Sequence, residues 1–421
     1  MRKISYVLKW FIKALGLPFW YFIYGVSFLT YRKRHRWIFI PHNQYGFSDN
    51  CKYLFLHISE NEKTIEPIWI TKNKQLVDEL IKNGYCARYL YSIDGIWMLL
   101  TGGIFIFDSF LYDPTYWLSG GTKKVNLWHG VGLKKADHDI KKGRLKKIYS
   151  AKGLQRLLIK LLIPTTFLNR KINYFITTSQ TYKEISASAF NVAKEKILVT
   201  GYPRNDVFFS DIPGTAIGTD LKLVTKIKNF KELSSDTKVV LYMPTFRDSN
   251  GERFQEEIME LLGYINSCAK NTSIFFILKV HPNAARFFKD NDWANSDFVY
   301  IADSHSDLYP ILKYVDILVT DYSSISSDYL LLDRPIIFFP YDIDAYINEN
   351  REFYFDYDEY SPGHKVYKAK DLVDRIKQII EQGGDFYKED RDKILSIFHD
   401  NRHGGSAKKI TTYIQSCYEK K

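Results

Sequence analysis

At 421 residues the chain is longer than one ordinary hydrophobic core, so two domains are expected, and its 45% hydrophobic and 25% charged content is that of a globular protein. The four cysteines, Cys51, Cys86, Cys268 and Cys417, are far apart in sequence, which excludes a Cys-x-x-Cys metal or redox pair and a disulfide framework. The net charge of +11 is concentrated in two stretches: residues 1–36 carry +8 and residues 134–171 carry +10, leaving −7 for the rest.

The first stretch surrounds an uncharged run, Ala14 to Thr30, interrupted by Gly16, Pro18 and Gly25. It is at the short limit for a membrane-spanning helix. Lys9 and Lys13 precede it and Arg32, Lys33, Arg34 and Arg36 follow, so it is read as an interfacial or re-entrant membrane segment. Strands are then expected at Trp37–Ile40, Pro67–Thr71, Tyr85–Tyr91, Ile104–Phe107, Lys124–Trp128, Tyr174–Thr177 and Ile197–Thr200, with helices at Asp49–Ile58, Lys74–Lys82, Ile93–Leu100 and Gln180–Ala189. Within 134–171, Leu154, Leu157, Leu158, Leu161 and Leu162 follow helical spacing, with Lys152, Arg156 and Lys160 on another face and Pro164 as the stop. A basic amphipathic helix of this kind suits an anionic membrane surface. No basic module with the geometry of a nucleic-acid reader is found.

After a hinge placed near 205–215, strands are expected at Val239–Met243, Ile274–Val280, Phe298–Ile301, Ile317–Thr320 and Pro335–Phe339. Helices are expected at Phe254–Ala269, Asp307–Leu312, Ser324–Leu332 and Asp371–Gln382, with two last helices packing back across the interface. Short apolar strands between helices mean parallel sheets covered on both faces. The division is 1–36, a membrane-associating segment; 37–208, a first doubly wound domain that carries the basic amphipathic segment 134–171; and 209–421, a second doubly wound domain.

Four strand ends carry chemistry. Leu127-Trp128-His129-Gly130 places a histidine at a tight turn, either as a general base or as a side chain satisfied by a backbone carbonyl. Lys279 and His281, two apart at another strand end, are expected on one side as a phosphate-binding face. Arg247 follows Pro244-Thr245-Phe246, either as surface decoration or as a fork-shaped anion clamp. Asp321, Ser323 and Ser324 lie at a helix start, either as ordinary caps or as an anion site formed by the free N–H groups there. In open α/β sheets ligands bind at the carboxyl ends of strands, so these four ends describe a phosphate-binding cleft.

Taken in order, these motifs and several others form a recognisable set: Phe47-Ser48-Asp49-Asn50-Cys51-Lys52-Tyr53, Trp128-His129-Gly130, Thr200-Gly201-Tyr202-Pro203-Arg204-Asn205-Asp206, Pro244-Thr245-Phe246-Arg247-Asp248, Lys279-Val280-His281-Pro282, Asp321-Tyr322-Ser323-Ser324 and Phe353-Tyr354-Phe355-Asp356. The chain resembles the CDP-glycerol glycerophosphotransferases that build teichoic acids and related capsule polymers. The resemblance implies an α/β fold of GT-B-like type, with two doubly wound parallel-sheet domains facing across a cleft. It implies monotopic attachment to the cytoplasmic face of the cell membrane, a CDP-glycerol or related CDP-polyol donor, and a lipid-linked or polymer acceptor. His129 and His281 are the expected catalytic residues; Arg247, Lys279, Asp321, Ser323, Ser324, Gly201, Arg204 and Asp356 are the expected substrate-binding ones. Val131-Gly132 after the His-Gly pair and His364 after Pro362-Gly363 depart from the family pattern, which leaves the identities of donor and acceptor open.

The expected reaction is transfer of a polyol phosphate to a hydroxyl with release of CMP. Asp137-His138-Asp139, Asp342-Ile343-Asp344 and Asp356-Tyr357-Asp358 have the Asp-x-Asp form used for Mg²⁺, but such spacing is frequent by chance, so no metal ligand and no certain cofactor is assigned. The rival readings are a GT-B glycosyltransferase using a nucleotide sugar, which would release a nucleoside diphosphate, and a non-catalytic, membrane-docked polyanion-binding protein.

Overall fold

The computed structural model describes residues 2–142, 146, 148–162, 171–234, 236–245, 247, 251–269, 273–285, 288, 297–349, 352–382 and 386–419. Among them are two parallel sheets. The first comprises β1 (Lys33–Ile40), β2 (Glu66–Thr71), β3 (Ala87–Tyr89), β4 (Gly102–Phe107), β5 (Lys123–Asn126), β6 (Tyr174–Thr177) and β7 (Ile197–Val199), in the order β3-β2-β1-β4-β5-β6-β7. The second comprises β8 (Lys238–Met243), β9 (Ile274–Leu278), β10 (Val299–Ile301), β11 (Ile317–Thr320), β12 (Ile336–Phe338) and β13 (His364–Lys365), in the order β10-β9-β8-β11-β12-β13. Their near-continuous apolar runs follow from burial on both faces: all residues of β4, β9 and β11 are buried. Strand order reverses between β1 and β4 in one sheet and between β8 and β11 in the other, the two places where such sheets form a crevice.

Several elements differ from the sequence reading. A helix at Leu221–Leu233 follows the expected hinge, where the sequence pattern had placed no element. Asp220 caps it by accepting from Leu223 N–H, and Leu223, Ile227 and Phe230 form its buried stripe. Strand β9 stops at Leu278, so Lys279 and His281 lie beyond it and do not share a strand face. The N-terminal segment is one continuous helix, Arg2–Ser27, with Pro18 inside it. Arg32 and Arg36 are structural: Arg32 donates to the carbonyls of Leu99, Leu118 and Ser27, and Arg36 pairs with Glu66 at 2.7 Å. Among the described residues no helix is long and apolar enough to cross a membrane.

Two devices join the domains. The fully buried Lys52 ammonium, from the helix Asp49–Asn61, donates to Thr215 O, Ile217 O and Asp307 Oδ2, each at 2.8 Å. Tyr53 adds a hydroxyl to the same Asp307 oxygen at 2.6 Å. At the other end of the chain, the helices Lys388–Phe398 and Ser406–Glu419 return to the first domain. Thr178 and Ser179 donate to the carbonyls of Phe398 and Ile397, and the Asp206 carboxylate caps the last helix through Ser406 N–H and Ala407 N–H, both at 2.9 Å. Gly201 belongs to this joint. Its φ is +83°, and a Cβ there would lie 2.6 Å from Ser406 Oγ, so glycine lets the last helix pack closely at this expected substrate-binding position.

Candidate active site

The Trp-His-Gly turn follows β5, beside the β1–β4 reversal. Trp128 has φ +55°, a costly conformation for a bulky side chain, and Gly130 has φ +147°. The turn is held by Trp128 N–H on Asn126 Oδ1 at 2.8 Å and by Asn50 Nδ2–H on Trp128 O at 2.9 Å. His129 donates from Nδ1 to the Asp108 carbonyl at 2.9 Å, which fixes its tautomer and leaves Nε2 as an acceptor. The carbonyl-satisfied histidine and the general base are therefore one arrangement, using opposite ring nitrogens. Burial pushes its pKa down to about 4, Asp49 and the Asp108 carbonyl opposing, so the ring is neutral at neutral pH.

The turn abuts the second domain. A Cβ on Gly130 would lie 2.7 Å from Ser324 Oγ, and one on Gly132 would lie 3.2 Å from Ser324 Cβ. Ser324 precedes the short helix Ile325–Tyr329 and makes no side-chain cap, so the Asp/Ser cluster does not act as an ordinary N-cap. Ser323 is half-buried beside it. Ser327 Oγ donates to Val131 O at 2.7 Å, sealing the junction.

The other expected residues divide. Arg247 is buried and spends its guanidinium on the Asp342 carboxylate, at 2.7 and 2.8 Å, on Asp321 Oδ2 at 2.8 Å and on Thr245 O at 2.6 Å. It also lies over the rings of Tyr322, Tyr341 and Tyr346. Asp321, buried itself, additionally accepts from Thr245 N–H and Tyr322 N–H. Lys279 is buried and donates to Asp303 O, Ser306 O and Ser306 Oγ, while His281 is exposed ahead of the short helix Pro282–Ala285. Burial pushes the Lys279 pKa down to about 8. Arg204 reaches Asp49 Oδ1 at 2.7 Å, His129 O at 2.9 Å and Asp328 Oδ2 at 2.5 Å, so it positions the histidine turn and ties it to the second domain. Asp356 caps the helix Tyr357–Tyr360 and is exposed. In this structure Arg247, Lys279 and Arg204 are thus buried and directed at protein groups, while His129, Ser323 and Ser324 are half-buried and His281 is exposed.

The carboxylates of the Asp-x-Asp pairs also have protein partners. Asp139 accepts from Ser188 and Tyr354, Asp342 from Arg247, and Asp356 from backbone N–H groups. No cluster of three or more His, Cys, Asp or Glu side chains suited to a metal occurs among the described residues. Asp49 and Asn50, quoted in a sequence motif without a role, and Asp108, which the sequence reading passed over, hold the histidine turn; His42 was passed over as well. Burial beside Asp49 raises the Asp108 carboxyl far above the usual carboxylate range.

The chain is 26% identical over 406 residues to the teichoic acid poly(glycerol phosphate) polymerase of Bacillus spizizenii, covering 92% of this chain and 95% of that protein. It is 28% identical over 345 residues to the teichoic acid glycerol-phosphate transferase of Staphylococcus aureus, covering 81% and 82%. It spans 60% of the length of the teichoic acid poly(ribitol-phosphate) polymerase of Bacillus spizizenii, at 27% identity. Among solved structures, the wall teichoic acid polymerase TagF, soaked with CDPG, superposes over 98% of both chains with a TM-score of 0.73 at 22% identity. A UDP-N-acetylglucosamine 2-epimerase of Listeria monocytogenes, described as putative, shares the fold with a TM-score of 0.52 at 12% identity. The fold is accordingly GT-B-like. The profile of the CDP-glycerol:poly(glycerophosphate) glycerophosphotransferases matches residues 22–416, and the chain belongs to this enzyme family.

Proposed function

We propose that the protein transfers glycerol phosphate, or a related polyol phosphate, from a CDP-linked donor to a hydroxyl of a lipid-linked or growing polymer, in synthesis of a teichoic-acid-type polymer. The observation that carries this reading is the acceptor nitrogen of His129, held neutral in a turn that abuts Ser324 of the opposite domain. The acceptor oxygen attacks the phosphorus bearing the polyol while His129 Nε2 takes the hydroxyl proton. The bond to the CMP oxygen breaks, and its electron pair leaves with CMP. In this reading the N–H groups at Ser323–Ser324 and His281 receive the diphosphate and the charge that builds on the leaving group; the place of Ser324 ahead of a helix and the exposure of His281 support it. Arg247, Lys279 and Asp321 are assigned to shaping the donor side rather than touching the phosphate. The CDPG-soaked polymerase of the same fold supports the choice of donor class.

Attachment to the cytoplasmic face of the cell membrane completes the reading. Leu15, Phe19 and Phe22 of the first helix are exposed, as are Leu154, Leu157, Leu158, Leu161 and Leu162 of the helix Gly153–Leu162, in which no residue is buried. Tyr21 donates to Leu161 O at 2.9 Å, so the two apolar faces adjoin. Together with Arg156 and Lys160 they suit an anionic lipid surface.

The test is release of CMP by the full chain from CDP-glycerol and CDP-ribitol, each with and without a lipid-linked acceptor. Acceptor-dependent release from either donor is expected and names the donor. Release of a nucleoside diphosphate from a nucleotide sugar, with neither CDP-polyol consumed, would replace this reading with that of a glycosyltransferase.

A further inference from the structure

Three adjacent strands of the first sheet, β1, β4 and β5, end around the point where strand order reverses, and each is followed by one polar residue of a single cluster: His42, Asp108 and His129. Asp108 serves both histidines. Its carbonyl accepts from His129 Nδ1–H at 2.9 Å, and its Oδ1 accepts from the His42 backbone N–H at 2.6 Å. The two imidazoles lie almost parallel, 18° apart in plane, with centroids separated by 5.7 Å. The Tyr112 hydroxyl is 2.9 Å from His42 Nδ1. A phenol is the better donor and a neutral imidazole nitrogen the better acceptor, so Tyr112 O–H donates and His42 keeps its proton on Nε2. The two rings thus have opposite tautomers, one with an acceptor Nε2 and its neighbour with a donor Nε2.

Exposure and position give this pair a direction. His42 is exposed, whereas His129 is half-buried beneath it. Ser324 presses on the Gly130 side of the turn and His42 lies on the β1 side, so the two flank His129. The ionisable groups around His42 are Asp49, Asp108, Tyr112 and His129, and Asp49 is already paired with Arg204 at 2.7 Å. An anion beside His42 therefore does not face an unpaired Asp49 carboxylate.

We propose that His42 is a substrate-binding residue on the acceptor side: its Nε2–H holds a phosphate oxygen of the acceptor's terminal polyol phosphate while His129 draws the proton from the hydroxyl of that same unit. This rests on the transfer reaction proposed above. The stack keeps the two nitrogens at a fixed separation, so the phosphate contact sets which hydroxyl meets the base. The donor diphosphate, on the Ser323–Ser324 side, makes no use of His42.

Steady-state kinetics of the full chain with His42→Ala, His42→Phe and His42→Gln tests the assignment. Loss of one hydrogen bond to a charged group is expected to raise the acceptor KM roughly 10–100-fold in the Ala and Phe variants, with the donor KM unchanged and most of the loss recovered by Gln. Full activity in His42→Phe would mean the ring serves only to pack, and an equal rise in donor KM would put His42 on the wrong substrate; either overturns the proposal. Should the wild-type protein consume no CDP-polyol, the reaction reading itself falls, and His42 is then judged by imidazole NMR with glycerol 1-phosphate as probe. A saturable shift of the His129 resonance that disappears in His42→Phe supports the contact, and a shift that persists unchanged in that variant refutes it.

Discussion

The two points of strand reversal, equivalent in topology, are built in opposite ways. In the first sheet the reversal gathers His42, Asp108 and His129 and leaves His129 Nε2 with no hydrogen-bond donor among the described residues. In the second it gathers Arg247, Asp321 and Asp342 into a closed set in which the guanidinium is used up by carboxylates. A strand end rich in charge is therefore not by that fact a phosphate site. What matters is whether the charge is spent inside the protein.

Breaking the closed set should have the largest effect on stability. Arg247→Ala leaves the buried Asp321 and the half-buried Asp342 carboxylates without their cation and is expected to cost about 3–5 kcal/mol, read from urea unfolding at neutral pH. Unchanged stability with only a raised donor KM would instead make Arg247 a phosphate clamp, and the contrast between the two reversals would vanish. Next in size is the histidine turn. Gly130→Ala puts a Cβ 2.7 Å from Ser324 Oγ at φ +147°, costing about 1–3 kcal/mol together with turnover. Gly263→Ala, with nothing within 4 Å of its Cβ inside the helix Gly251–Ala269, is the control and should be neutral or mildly stabilising.

The exposed leucines come next. Replacing Leu154 and Leu158 by Ser should weaken binding to anionic vesicles about tenfold or more, since burying such a side chain is worth about 1.5–3 kcal/mol. Unfolding should not change, because neither residue is buried in the fold. Vesicle affinity equal to wild type would remove this helix from the membrane-facing surface. The smallest expected effect is on pH. Because His129 is active when unprotonated and burial takes its pKa from 6.5 to about 4, kcat/KM should stay level as pH falls through 6.5 and decline only toward 4. An acid limb centred at 6.5 would mean an ordinary, solvated imidazole. The same burial makes the unfolded chain bind more protons, so this histidine's contribution to stability is complete above 6.5 and is lost as pH falls toward 4.

Much of this was legible in the sequence. The strands were, because runs such as Val239–Met243 and Ile274–Leu278 are apolar throughout, as burial on both faces demands. His129 was, because its turn needs Gly130. The helix Leu221–Leu233 was obscured by five lysine and glutamate residues, although Leu223, Ile227 and Phe230 carry the period. Pro18 and two glycines suggested a broken segment, yet the chain there is one helix packed through Tyr24 on Tyr116. The shared face of Lys279 and His281 was misread because the strand ends a residue before Lys279, whose ammonium turns inward to two carbonyls. His42 and Asp108 could not be found by spacing. Their meaning depends on β1 lying beside β4, a consequence of strand order rather than of local sequence.

The most direct test of the account is acceptor-dependent CMP release by His129→Ala, measured beside equilibrium binding of the CDP-linked donor to the same protein. Turnover reduced by about 10²–10⁴-fold with donor affinity near that of wild type is the predicted result. Near-full turnover in this variant would contradict His129 as the base, and with it the reading of the β1–β4 reversal as the reactive half of the cleft.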